Sequence, residues 1–144
     1  MGSEPVRELT AAEAQDFLEG NRFGRLAVVL ADEPQIVPVN YATDGGGVLY
    51  IRSAPGDKLF AAATGRRVAF EVDRVEAAGA TSVIVHGVAR VVTDSAELAR
   101  VDSLGLLPWV ATYKPEVIAI DVDRVSGRRF VFGPEPDGTF VEPS

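Results

Sequence analysis

Apolar residues recur along this chain in two rhythms, and the shorter one dominates. In residues 67–73, Val68, Phe70 and Val72 take one set of positions and Glu71 and Asp73 the other, the period of two that marks a half-buried strand. Residues 81–92 continue the pattern: Val83, Val85, Gly87 and Ala89 share one face, and Ser82, Ile84, His86, Val88 and Arg90 the other. The small residues at 87 and 89 predict a close neighbour on that face. Residues 24–31 and 35–42 are rich in β-branched side chains and are split by Asp32-Glu33-Pro34, so they read as two antiparallel strands. Two last strands are expected at 117–125 and 128–132 with Ser126-Gly127 as their turn, and Thr139-Phe140-Val141 could add a short edge strand.

Helical spacing is confined to short stretches. Thr10 and Glu13 form a capping-box signal ahead of residues 11–19, where Ala14, Phe17 and Leu18 recur at helical spacing. Residues 58–64 read as a helix stopped by Gly65, and Asp94 with Glu97 opens another that runs to about Ser103. Residues 104–111, with Pro108-Trp109, form an irregular apolar connection. Many evenly spaced strands with only short helices predict a mainly β fold, an antiparallel barrel carrying peripheral helices. No repeat or linker interrupts residues 10–133, so one domain is expected over 1–144, with a loose tail from about 134.

Composition narrows the chemistry. With 144 residues, 47% apolar and 24% charged, the chain suits a single hydrophobic core. It has no cysteine, which excludes disulfides, thiolate metal sites and cysteine nucleophiles. A net charge of -7 opposes nucleic acid and anionic membrane as partners. The apolar run at 26–31 is too short to span a bilayer, and no apolar leader opens the chain, so a cytoplasmic protein is expected. The lone histidine, His86, sits mid-strand with no nucleophile elbow nearby, and Asp121 with Asp123 reads as the wet side of a strand, so neither a triad nor a metal site is expected. Gly45-Gly46-Gly47 lacks the spacing and following helix of a dinucleotide loop, and Gly56-Asp57-Lys58 lacks the upstream glycine of a Walker loop.

Residues 38–59 are the most informative stretch. Pro38-Val39-Asn40-Tyr41 and Tyr50-Ile51-Arg52-Ser53 flank a glycine turn, and Gly45-Gly46 as a two-residue hairpin would set Tyr41 opposite Tyr50 and Val39 opposite Arg52. Arg52, Ser53 and, after Pro55-Gly56-Asp57, Lys58 offer a fork donor, a neutral donor and a point charge, the groups that suit a phosphate. Arg52, Lys58, Arg66 and Arg67 are four of the 14 cations, gathered in an otherwise acidic chain. Blander roles exist for some of these residues: Arg52 could pair with Glu71 or Asp73, and Tyr41 with Tyr50 could be a cross-strand aromatic pair.

Taken in order, Gly24-Arg25-Leu26-Ala27, Pro38-Val39-Asn40-Tyr41, Tyr50-Ile51-Arg52-Ser53, Pro55-Gly56-Asp57-Lys58-Leu59, residues 68–73, residues 82–89, Trp109 and Ser126-Gly127-Arg128 resemble the pyridoxamine 5'-phosphate oxidase-like family of flavin-binding split-barrel proteins. The resemblance implies a split β-barrel homodimer with a flavin in each of two clefts at the subunit interface. It implies phosphate binding by Arg52, Ser53 and Lys58 and lining of the flavin ring by Val39, Asn40 and Tyr41, with Tyr50 beside them. It also implies approach of Trp109 and Arg128 from the partner chain, although Trp109 could equally plug a core or interface. The tail at 134–144 carries no cation where the genuine oxidase has arginine-rich motifs, so pyridoxamine 5'-phosphate itself is not the expected substrate. The expectation is an FMN-binding oxidoreductase acting on a small organic molecule. No catalytic residue stands out; Tyr41 is the one side chain that suggests a proton donor, and solvent could serve instead. A reductase of the same fold using the deazaflavin F420, with Arg66 and Arg67 as extra cations, and a protein that stores flavin without turnover are the alternatives.

Overall fold

The strand pattern resolves into one antiparallel sheet that curls around an apolar interior. In the computed structural model, which describes residues 5–106 and 115–133, the elements run β1 (Val6–Glu8), α1 (Ala11–Glu19), β2 (Phe23–Leu30), β3 (Glu33–Asn40), β4 (Ala42–Thr43), β5 (Val48–Ser53), α2 (Lys58–Ala63), β6 (Arg67–Val75), β7 (Gly79–Val91), α3 (Ser95–Ser103) and β8 (Glu116–Val131). Their order across the sheet is β3-β2-β6-β7-β8-β5-β4, with β1 added to the far half of β8. Trp109 and the stretches at 139–141 and 134–144 lie outside the described residues.

β3 and β4 are the two ends of this path, yet only Tyr41 separates them in the chain. The backbone leaves one edge of the sheet and joins the other at a single residue, which closes the sheet into a split barrel. Tyr41 anchors that step: it is 2% exposed, meets Phe70 edge-on with ring centroids 5.2 Å apart and donates its hydroxyl proton to Leu18 O at 2.6 Å. Its amide donates to Arg22 O at 2.9 Å.

The step corrects the expected hairpin. Ala42, not Tyr41, faces Tyr50, and Thr43 faces Leu49. Val39 pairs with Gly24 of β2, not with Arg52. The connecting loop is longer than a two-residue turn, with positive φ at Gly45 (77°) and Gly47 (91°), and the Thr43 and Asp44 side chains accept the Gly45 and Gly46 N–H groups. A slip of one position turns every following side chain to the opposite face of the sheet.

β8 differs from expectation as well, being one strand of 16 residues with no turn at Ser126-Gly127. Those two residues pair with Ile84 and Val83 of β7. Gly127 is there for space: a Cβ would lie 2.7 Å from Leu9 Cδ1, and the Leu9 N–H donates to Gly127 O at 2.9 Å. The close neighbour expected at residue 87 is β8 itself, since Gly87 sits at a β-bulge with Asp121 O against it. Pro34 and Pro38 are tolerated in β3 because it is an edge strand. The two capping signals behave as expected, with the reciprocal Thr10–Glu13 box on α1 and Asp94 on α3, and Asp57 caps α2 without having been singled out in the sequence.

The barrel interior is filled by Leu26, Val39, Leu49, Ile51, Phe70, Val72, Val83, Val85, Ile118 and Ile120, among others. A second cluster, Tyr50, Val92, Val101, Leu106, Val117 and Ala119, seats α3 against the other face of β5 and β8. On the outside of the sheet, Ile36, Ala27, Ala69, His86 and Arg124 are successive register partners across five strands.

Candidate functional site

The seam of the barrel opens into a cavity of about 380 Å³, lined by the end of α1 and its loop (Leu18, Glu19, Asn21, Arg22), by Asn40 to Thr43, and by Leu104, Gly105 and Leu106 beyond α3. Its volume falls in the range of small-molecule pockets. Asn40 and Tyr41, two of the residues expected around a ring, are in its wall, whereas Val39 points into the barrel interior. Burial pushes the Tyr41 phenol above its ordinary value, and its hydroxyl donates its hydrogen bond to Leu18 O. It braces the seam and is not poised as an acid.

The expected phosphate donors sit at the end of β5 and the start of α2. Arg52 and Ser53 occupy the last two rungs, opposite Val117 and Glu116. Strand alternation turns Arg52 toward α3, on the face of Tyr50, and Ser53 toward the interior, on the face of Leu49 and Ile51. The two side chains can meet one ligand only across the end of the sheet. A turn closed by Asp57 N–H to Ala54 O at 3.1 Å, with Gly56 at φ 79°, brings the chain back to Lys58, the first residue of α2.

Arg52 does not pair with Glu71 or Asp73; Arg25 takes both of those carboxylates at 3.0 Å. Arg52 Nη2 instead donates to Asp102 Oδ1 of α3 at 2.6 Å, and its Nε is buried with no partner among the described residues. Ser53 is buried and Lys58 exposed, and neither side chain makes a hydrogen bond or ion pair among the described residues. Along β5, Arg52 lies two residues, roughly 7 Å, from Tyr50, the partner of the cavity residue Ala42. The expected phosphate donors and the cavity therefore flank the same strand end.

Alongside the split barrel and its seam cavity, the sequence profile of the pyridoxamine 5'-phosphate oxidase family matches residues 10–129. The chain belongs to the pyridoxamine 5'-phosphate oxidase-like family. A candidate pyridoxamine 5'-phosphate oxidase of Corynebacterium glutamicum is 38% identical, with a TM-score of 0.83 over 94% of this chain and 100% of that one. The FAD-binding protein of Mycobacterium smegmatis is 37% identical, with a TM-score of 0.80 over 88% of this chain and 100% of its own. An uncharacterized protein of Mycobacterium tuberculosis is 35% identical over 133 residues, 88% of this chain and 86% of the relative.

The other residues that the family resemblance singled out fall in different places. Tyr50 is 0% exposed; its hydroxyl donates to Glu97 Oε2 at 2.8 Å, and Arg90 grips both Glu97 oxygens at 2.8 Å. Tyr50 therefore has no surface to offer a ring, and it fixes α3 on the sheet. Arg128 lies exposed near the other end of β8, opposite Glu8 and Ser82. It is about 36 Å along the strand from Val117, the register partner of Arg52. Arg67 is held by Asp123 through two bonds of 2.7 and 3.0 Å, and Arg66 Nε donates to Ala62 O. Among the described residues no group of histidine, cysteine or carboxylates could hold a metal, and no helix is long and apolar enough to cross a membrane.

Sequence reasoning missed Asp102, Glu97 and Arg90. Glu97 was visible only as a cap residue of α3; its Arg90 partner is seven positions away but across a strand-to-helix break. Asp102 sits 50 positions from Arg52 and carried no local signal.

Proposed function

We propose that this protein binds a flavin nucleotide, with the ring in the seam cavity and the phosphate at the end of β5, and serves as an oxidoreductase for a small organic substrate. Three donors without a partner among the described residues, all within one stretch of chain, carry the proposal: the buried Arg52 Nε, the Ser53 hydroxyl and the Lys58 ammonium. A buried guanidinium nitrogen without an acceptor is costly, and a phosphate supplies acceptors to all three groups. The family membership and the 37% identical FAD-binding relative support a flavin as the carrier of that phosphate.

A flavin, when bound, supplies reversible hydride transfer. The chain's own residues hold, orient and enclose. Arg52, Ser53 and Lys58 bind the phosphate; Asn40, Ala42 and Thr43 offer the seam backbone and side chains to the ring edge; Leu18, Leu104 and Leu106 exclude water from the cavity. The Tyr41 hydroxyl is committed to Leu18 O, so solvent delivers the proton. FMN is the cofactor expected from the sequence, and FAD is the one bound by the Mycobacterium smegmatis relative. F420 draws less support, since Arg67 is already occupied by Asp123.

We also propose that a second copy completes the assembly. Arg128 lies near one end of β8 and Arg52, on β5, pairs with Val117 near the other, so a shared ligand needs two chains. The outer face of β2, β3, β6 and β7 offers the contact: Val29, Ile36, Ile84 and Val88 are exposed there, and Ala27, Val29, Ile36, Ala69 and His86 line a groove of about 310 Å³; the His86 Nδ1 is buried without a partner among the described residues.

The absorbance spectrum of the purified protein, with mass spectrometry of what heat releases, tests the flavin proposal. A two-band yellow spectrum with an FMN or FAD mass supports it. A single-band deazaflavin spectrum replaces flavin by F420, and a colourless protein that refuses added flavin overturns it. Turnover with NAD(P)H then separates an oxidoreductase from a flavin store.

A further inference from the structure

The contact between Arg52 and Asp102 is unusual for the helix that supplies it. Asp102 lies in the last turn of α3, where the helix dipole disfavours a negative charge. Its side chain is 73% exposed, so it could be fully hydrated; instead it reaches Arg52, whose side chain is only 15% exposed. The helix does not need the contact to stay in place, because Val101 is fully buried and Glu97 is tied to Tyr50 and Arg90. What does need a partner is the guanidinium, which is mostly withdrawn from water, has five donors and meets no carboxylate but Asp102 among the described residues.

We propose that Asp102 is a built-in anion that competes with the ligand's phosphate for Arg52 and thereby sets how tightly the phosphate is held. The inference deepens the flavin reading and rests on it for the identity of the ligand. With the phosphate absent, Asp102 neutralises Arg52. With it present, the carboxylate either yields the guanidinium or stays beside a phosphate and repels it, so in both cases its charge lowers affinity. Asp102→Asn separates charge from shape: the amide oxygen still accepts from Arg52 Nη2 and keeps the guanidinium oriented, while the charge is gone.

The test compares the wild type and Asp102→Asn by titration with FMN and with riboflavin, which carries the same ring and no phosphate. Tighter FMN binding by about tenfold at low ionic strength, shrinking as salt is raised, with riboflavin unchanged, is the expected result. Equal or weaker FMN binding by the variant overturns the proposal, as does an equal gain for both ligands, which would mean that the cavity and not the phosphate site has changed. If neither protein binds any flavin, the functional reading falls on its own, and inorganic phosphate decides the inference. A larger phosphate-induced rise in melting temperature for Asp102→Asn than for wild type sustains competition at Arg52; equal rises end it. Melting curves without added anion show that the variant folds.

Discussion

Tyr50 and Glu97, 47 positions apart, meet at 2.8 Å between hydroxyl and carboxylate oxygens, and through this contact a strand beside the seam holds the helix that faces Arg52. Burial first, then the bond to Glu97, pushes the Tyr50 phenol up from 10.0 to about 12. A raised folded pKa supports the fold while the proton is on: the contribution is complete below about pH 10 and is lost as pH rises to about 12. Tyr50→Phe is expected to cost about 1–2 kcal/mol at pH 7 and to shrink the loss of stability between those pH values, read from urea midpoints. An unchanged midpoint at both pH values would mean that the clamp is not felt.

Glu97 governs the acid side. The Arg90 hydrogen bonds, helped by Tyr50, hold its carboxyl down from 4.5 to about 2. A lowered folded pKa gives stability that is present above 4.5 and lost as pH falls toward 2. Glu97→Gln is expected to be less stable at pH 7 by about 1.5–3 kcal/mol and to lose less on acidification. Glu71 has the opposite sign, since desolvation and the nearby Asp73 raise its carboxyl, so Glu71→Gln should leave the acid slope as steep as before or steeper. Acid titrations of stability for the two variants separate these behaviours.

Gly127 tests whether its role is space or turning. Gly127→Ala puts a Cβ 2.7 Å from Leu9 Cδ1, the flexible end of a side chain, and should cost about 1–2 kcal/mol. Adding Leu9→Ala should return part of that loss beyond what the two single changes predict together. Additive losses in denaturant unfolding would place the glycine's value elsewhere.

The outer face can be probed without touching the cavity. Ala69 lies in the row between Ala27 and His86, so Ala69→Arg puts a charged side chain in the centre of the proposed contact. Light scattering should show the wild type as a dimer and the variant as a folded monomer. A wild-type monomer that keeps its flavin would remove the second copy from the site.

Much of the fold was legible because its signals are local. The alternation of Val68, Phe70 and Val72 and of Val83 and Val85 reports burial directly, and the caps at Thr10 and Asp94 are contained within four residues. What was not legible depends on distance. Tyr41 looks like any strand residue, and nothing nearby says that the chain changes edges there. Ser-Gly at 126–127 carries the composition of a turn, while the demand on the glycine comes from Leu9, far away in sequence. β1 has three exposed residues and no alternation to announce it. In the site, Arg52, Ser53 and Lys58 were legible as a group of donor types, but the opposite faces of Arg52 and Ser53 and the reach of Asp102 follow from pairing and helix placement that no short window contains.

The unbroken course of β8 has a further consequence for how this family member can change. Val117 sets the rung of Arg52 and Arg128 lies near the strand's far end, so the count of residues between them works as a gauge. One inserted residue would advance the far end by about 3 Å and turn its side chains over. The bulge has already used one such adjustment: Asp123 has no partner on β7 and is aimed at Arg67. On the proposed reading, ligand preference can vary through the cavity wall, at positions such as Leu18, Asn40 and Leu106, with the gauge left intact.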